Sequence, residues 1–170
     1  MVVDYAHAAT AIVRDAGGRI VGRTKLQKIG FFLEAAGLGG GFPFQYKHYG
    51  PYSEQLAFGA QHAAALRLIS ENETPSGWGG TYSIFISNVP QDDKVDPART
   101  RLVRELVSAD PIELELAATA LFLRQDGFAD TWGETERRKP EKAAGGRLER
   151  AKQLYQLVRQ IPTPEPLPAL

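Results

Sequence analysis

Not one cysteine occurs in the 170 residues, which excludes a disulfide framework, thiolate chemistry and a Cys-rich zinc site. Histidine is nearly as scarce. His7, His48 and His62 are the full set, and no two stand four apart, the spacing that places two imidazole ligands on one helical face. Net charge is missing as well: twenty basic and twenty acidic side chains cancel, which removes the global attraction to phosphate that a very basic protein has. No stretch approaches the roughly 18 apolar residues of a membrane helix. The start, Met1-Val2-Val3-Asp4, lacks the basic region and apolar run of a secretory signal. The expectation is a cytoplasmic protein with no membrane partner.

What is there is ordinary globular composition, 43% hydrophobic and 24% charged, in a chain long enough to hide about 70% of its unfolded surface. One helical domain over residues 1–161 is expected. It is followed by a tail, 162–170, in which Pro162, Pro164, Pro166 and Pro168 alternate and impose an extended path without internal hydrogen bonds. Charge is unevenly spread. Lys and Arg number six against three Asp and Glu over residues 1–50, six against twelve over 51–130, and eight against four over 131–160. That sandwich suits pairing between helices inside the fold, in preference to one basic and one acidic surface.

Apolar periodicity predicts a mainly helical α+β domain with a small antiparallel sheet or hairpin. Ala6, Ala9, Ile12, Val13 and Ala16 mark a first helix, and Leu26, Ile29, Phe32, Leu33 and Ala36 a second. Thr24 and Gln27 have the spacing of a capping box at its start. Phe44, Tyr46 and His48 alternate as a short strand ended by Gly50-Pro51, and Ser53 is placed to cap a third helix. Tyr82, Ile84 and Ile86 belong to a hairpin whose long tip holds Trp78. Asp96-Pro97 and Asp110-Pro111 each set a capping carboxylate before a proline at the first helical position. The second pair opens a helix from Ile112 to Arg124, apolar over most of its circumference and so expected at the centre. Glu113 and Glu115 are read as compensating its dipole. A short helix between Asp130 and Arg138, ended by Pro140, precedes a last amphipathic helix ending near Ile161.

No catalytic, cofactor-binding or metal-ligating constellation emerges, and the chain is read as a non-enzyme without cofactor. Ser53 lies near His48, but a cap explains it and no strand-elbow glycine frame surrounds it. The glycine run Gly37 to Gly41 follows a helix instead of preceding one, the reverse of a phosphate cradle. Three N-terminal helices followed by a hairpin are compatible with a winged-helix N-terminal half. In that frame Arg23, Lys25 and Lys28 face phosphate and residues 70–80 form the wing. The wing, however, carries Glu71 and Glu73 and no Lys or Arg, which counts against DNA.

The most distinctive feature is a pair of motifs: Arg23-Thr24-Lys25-Leu26-Gln27-Lys28 on a helix, and Tyr49-Gly50-Pro51-Tyr52-Ser53 about 20 residues on. Gly22, Arg23, Leu26, Gln27 and Lys28 with the Tyr-Gly-Pro-Tyr-Ser turn resemble the YwgA-like uncharacterised bacterial proteins, related to the Panacea (SocA-like) antitoxin domain. The resemblance is carried by residues 20–70 and is faint beyond. It implies a protein-binding, antitoxin-like or defence-associated role with a toxin or other effector as partner, and it supplies no catalytic residues. Arg23, Lys25, Lys28, Tyr49 and Tyr52 are the expected partner-binding surface, with Thr24, Leu26, Gln27, Gly50, Pro51 and Ser53 as its structural frame. A winged-helix-like DNA-binding regulator is the alternative.

Overall fold

A computed structural model describes residues 3–170. The first helix, α1 (Tyr5–Asp15), begins where Asp4 accepts the His7 N–H, and buries Ala6, Ala9, Ile12 and Val13. The short strand β1 (Arg19–Val21) follows, then α2 (Arg23–Ala35), a hairpin of β2 (Gln45–Lys47) and β3 (Gly50–Tyr52), and α3 (Glu54–Ala65). The second hairpin is β4 (Ile69–Pro75) and β5 (Thr81–Ser87). The remainder is helical: α4 (Pro97–Val107), α5 (Pro111–Gln125), α6 (Thr131–Arg138), α7 (Pro140–Ala143) and α8 (Arg147–Arg159). The chain is a mainly helical α+β fold with a small antiparallel sheet.

In the main sheet the order is β1-β5-β4. Ile20 sits opposite Phe85 and both are buried, while Arg19 and Val21 on either side of Ile20 face out, the alternation a one-sided sheet requires. The sheet joins β1, from between α1 and α2, to the β4-β5 hairpin, whose second strand lies centrally; this hairpin stands where the expected winged-helix reading puts its wing. Helices α1 and α3 approach closely because Gly59 has no side chain; a Cβ there would stand 2.5 Å from the Tyr5 carbonyl oxygen.

Several local expectations need correction. Thr24 caps nothing: α2 starts one residue earlier, and its cap position is Gly22, at φ +99° and without a side-chain bond. Gly50-Pro51 does not end a strand but begins one, because the reversal falls on His48-Tyr49 and Gly50 pairs back to Lys47. The long wing tip is mostly strand. Ser70 to Pro75 pair with β5, leaving a turn of residues 76–80. Strand β1 carries too few residues for any period to reveal it. The aspartate caps are as expected: Asp96 accepts the Ala98 N–H, and Asp110 those of Ile112 and Glu113.

Helix α5 is the axis, packed by α2, α6, α8 and β3. Phe31 of α2 meets Phe44, Phe32 and Phe122, and Tyr155 of α8 meets Phe32 and Trp132. Charge pairing ties elements together: buried Asp15 receives Arg99 of α4 at 2.7 Å and its neighbour Arg14 at 2.8 Å, and Arg150 of α8 reaches Glu113 of α5 at 2.8 Å. The tail is likewise engaged. The Glu165 N–H donates to the Ala36 carbonyl (3.0 Å), the Tyr155 hydroxyl donates to the Pro168 carbonyl (2.6 Å), and Leu167 is buried.

Candidate functional site

The two motifs form one junction. Gln27 projects from α2 into the interior, where its amide copies a peptide group: Nε2 donates to the Ser53 carbonyl (2.9 Å) and Oε1 accepts the Ser53 N–H (2.8 Å). From the next residue along, Lys28 Nζ donates to the Pro51 carbonyl at 2.7 Å. The Ser53 hydroxyl accepts the Leu56 N–H and opens α3. Two side chains of α2 thus pair a stretch of backbone that has no helix or strand partner on that side, as buried peptide groups require. Gly50 completes the fit. Its φ is +85°, and a Cβ there would lie 2.6 Å from Thr119 Oγ1 and 3.8 Å from Lys28 Nζ, so neither the backbone nor the space admits a side chain.

Behind this junction lies a cluster of charge. Glu115 of α5 is 3% exposed, and its Oε2 receives Lys142 Nζ at 2.7 Å and Lys139 Nζ at 3.3 Å. Lys139 also donates to the His48 carbonyl at 3.1 Å. Lys28 is 1% exposed. Burial pushes its amine down to about 7; Glu115 opposes that shift, and Lys139 and Lys142 add to it. Burial also lowers Lys139. This is the pattern for cations held in a medium that solvates charge poorly.

The cluster opens onto a cleft of about 700 Å³ lined by Tyr46, His48, Arg138, Lys139, Pro140, Glu141 and Lys142. Its cations rest on rings: Arg138 lies 4.9 Å from the centre of Tyr46 and 5.3 Å from that of Phe128, and Lys142 lies 4.8 Å from that of Tyr49. Arg138 Nε is also held by Glu134 at 2.8 Å.

The five residues expected to form one surface do not. Lys28 is internal and cannot meet a partner directly. Lys25 is spent on the end of α4, where Nζ donates to the carbonyls of Val107 (2.9 Å) and Ala109 (2.8 Å). Arg23 is exposed but paired to Glu71 at 2.7 Å and Glu73 at 3.4 Å. With half-buried Tyr52 it borders a small pocket of about 120 Å³ against Gln61 and Phe85. Tyr49, 61% exposed, stands instead beside the basic cleft. The reading of Glu115 as dipole compensation is also corrected, since it is the buried counter-ion. Its signal was its neighbours Leu114, Leu116, Ala117 and Ala118 on a helix apolar all round: a carboxylate there must be buried, and a buried carboxylate needs cations.

The wing side is different in kind. Neither α3 nor the β4-β5 hairpin contains a Lys or Arg. Phe58 of α3 is 74% exposed and Trp78 at the hairpin tip 89%. Among the described residues no helix is long and apolar enough to cross a membrane, and no group of three or more His, Asp or Glu is placed to hold a metal ion. Comparison with family models, curated proteins and solved structures yields no match to this chain.

Proposed function

We propose that the protein is a non-catalytic binding module, antitoxin-like or defence-associated, that acts by protein–protein contact. The observation that carries this reading is the chemistry of the elements a winged helix turns toward its ligand. Helix α3 and the wing hold Glu54, Glu71 and Glu73, no Lys or Arg, and the exposed rings of Phe58 and Trp78. A duplex is bound chiefly through cations on phosphate, which these elements lack. Exposed aromatics on a surface short of cations are instead typical anchors of protein interfaces. The resemblance of the Lys-Leu-Gln-Lys and Tyr-Gly-Pro motifs to the Panacea (SocA-like) domain supplies the antitoxin-like assignment, with a toxin or other effector as the partner.

A DNA-binding regulator is the second reading, favoured by the strand order β1-β5-β4. One experiment separates the two: capture from the native host with nuclease present, using wild type, Phe58→Ser and Trp78→Ser in parallel. A stoichiometric protein partner lost in either variant, with the fold intact, supports protein contact through these rings. Recovery of no protein, together with DNA binding that weakens steeply with salt, would replace it by the regulator.

A further inference from the structure

Charge and hydrogen-bonding capacity do not balance in the cleft beside the β2-β3 hairpin. Buried Lys139 and part-exposed Lys142 share one carboxylate oxygen, Glu115 Oε2, and buried Lys28 lies close enough to feel all three charges. Lys28 spends one of its three donors, on the Pro51 carbonyl. Beside it the Thr119 hydroxyl is fully buried and, among the described residues, has no hydrogen-bond partner. At the rim, Arg138 and Lys142 are held against Tyr46 and Tyr49, and a ring face fixes a cation without neutralising it. Glu134 on Arg138 and Glu141 on the cleft wall are the opposing carboxylates.

We propose that this cleft binds an oxyanion, a carboxylate or phosphate group, seated between Lys139, Lys142 and Arg138 beside His48. The site is built for negative charge in three ways. Its cations outnumber the carboxylate that reaches them inside. They are fixed in place by rings and by backbone carbonyls before any ligand arrives, so little ordering remains to be done on binding. And burial, with neighbouring cations adding to it, lowers Lys28 and Lys139, a cost that a seated oxyanion would offset. The inference stands apart from the protein-contact reading, because the residues lining the cleft belong neither to α3 nor to the wing.

The test is calorimetric titration of the full chain with inorganic phosphate and, separately, acetate, each at fixed ionic strength against chloride. Saturable binding is expected. Loss of one charge-assisted hydrogen bond in Lys142→Gln should weaken it by about tenfold or more, while Lys142→Arg keeps it and the distant surface variant Lys152→Gln binds as wild type. Nitrogen-detected NMR should show the Lys28 amine titrating at higher pH in the saturated protein. Binding of phosphate alone assigns a phosphoryl ligand, and binding of acetate, with or without phosphate, assigns a carboxylate. Should Lys142→Gln fail to fold, Arg138→Gln takes its place. Neither anion binding above chloride, or Lys152→Gln weakening binding as much as the cleft variant, overturns the site.

Discussion

The seam between α2, β3 and α5 and the surface of α3 and the wing use their conspicuous residues in opposite ways. At the seam, Gln27, Lys28 and Glu115 carry polar groups into the interior and spend them on backbone carbonyls, a backbone N–H and, for Glu115, Lys139 and Lys142. On α3 and the wing, Phe58 and Trp78 carry large apolar groups outward and leave most of their surface to solvent. Each is the reverse of what hydrophobic burial alone dictates. The reversals teach different things: a buried charge with internal partners marks a junction the fold depends on, and a ring left mostly exposed marks a surface kept for something else.

The comparison breaks first at Glu115. Exchanging it for Gln leaves Lys28, Lys139 and Lys142 facing one another without a counter-ion, and removing one partner from a buried ion cluster costs about 3–5 kcal/mol. Urea unfolding should show the loss as a lower midpoint with an unchanged slope; a loss under about 1 kcal/mol would mean the cluster is solvated after all. The next effect is one of pH. The Lys28 amine ionises at about 7 in the folded protein against an ordinary 10.5, so between those values the unfolded chain holds more protons and stability rises with pH. Below pH 7 both states are charged and the penalty is complete. The span is on the order of 4 kcal/mol. Lys28→Met should flatten that rise, leaving the smaller share in the same sense from Lys25 and Lys139. The comparison is made below pH 10, because the buried Tyr155 phenol, pushed upward, acts oppositely above it. A slope as steep as that of wild type would place the titration elsewhere. Gln27→Leu comes third: it strands the N–H and carbonyl of Ser53, a loss of about 2–3 kcal/mol for two unpaired buried groups, read from the same unfolding curves.

Much of the frame was legible in the residues themselves. Helices with a complete apolar stripe and a capping aspartate, α4 and α5 above all, declare both their start and their inward face. The order of helices and hairpin in the N-terminal half could be inferred from periodicity and turn signals. What could not be read was the destination of polar side chains. Gln27 fits a local capping box with Thr24, and only the distant return of Ser53 to the same place in space gives it a better partner. Lys28 lies in a basic run that looks like surface, and its burial depends on β3 and α5 closing over it. Strand β1 and the first residues of β3 are too short to show a period, and exist because β5 and β2 offer them partners.

The smallest effect sharpens the comparison from the other side. Because Phe58 and Trp78 are largely exposed, replacing either by Ser removes almost no burial and should shift stability by no more than about 0.5 kcal/mol. A wing turn that tolerates the change leaves the β4-β5 register set by Ile84, Phe85 and their partners. Thermal unfolding of the two variants should therefore overlay that of wild type, in contrast to every seam variant. If Trp78→Ser instead lowered the midpoint by several degrees, the ring would be bracing the hairpin, and its exposure would no longer argue for a partner. With stability unchanged, any loss of binding in these variants belongs to the surface alone.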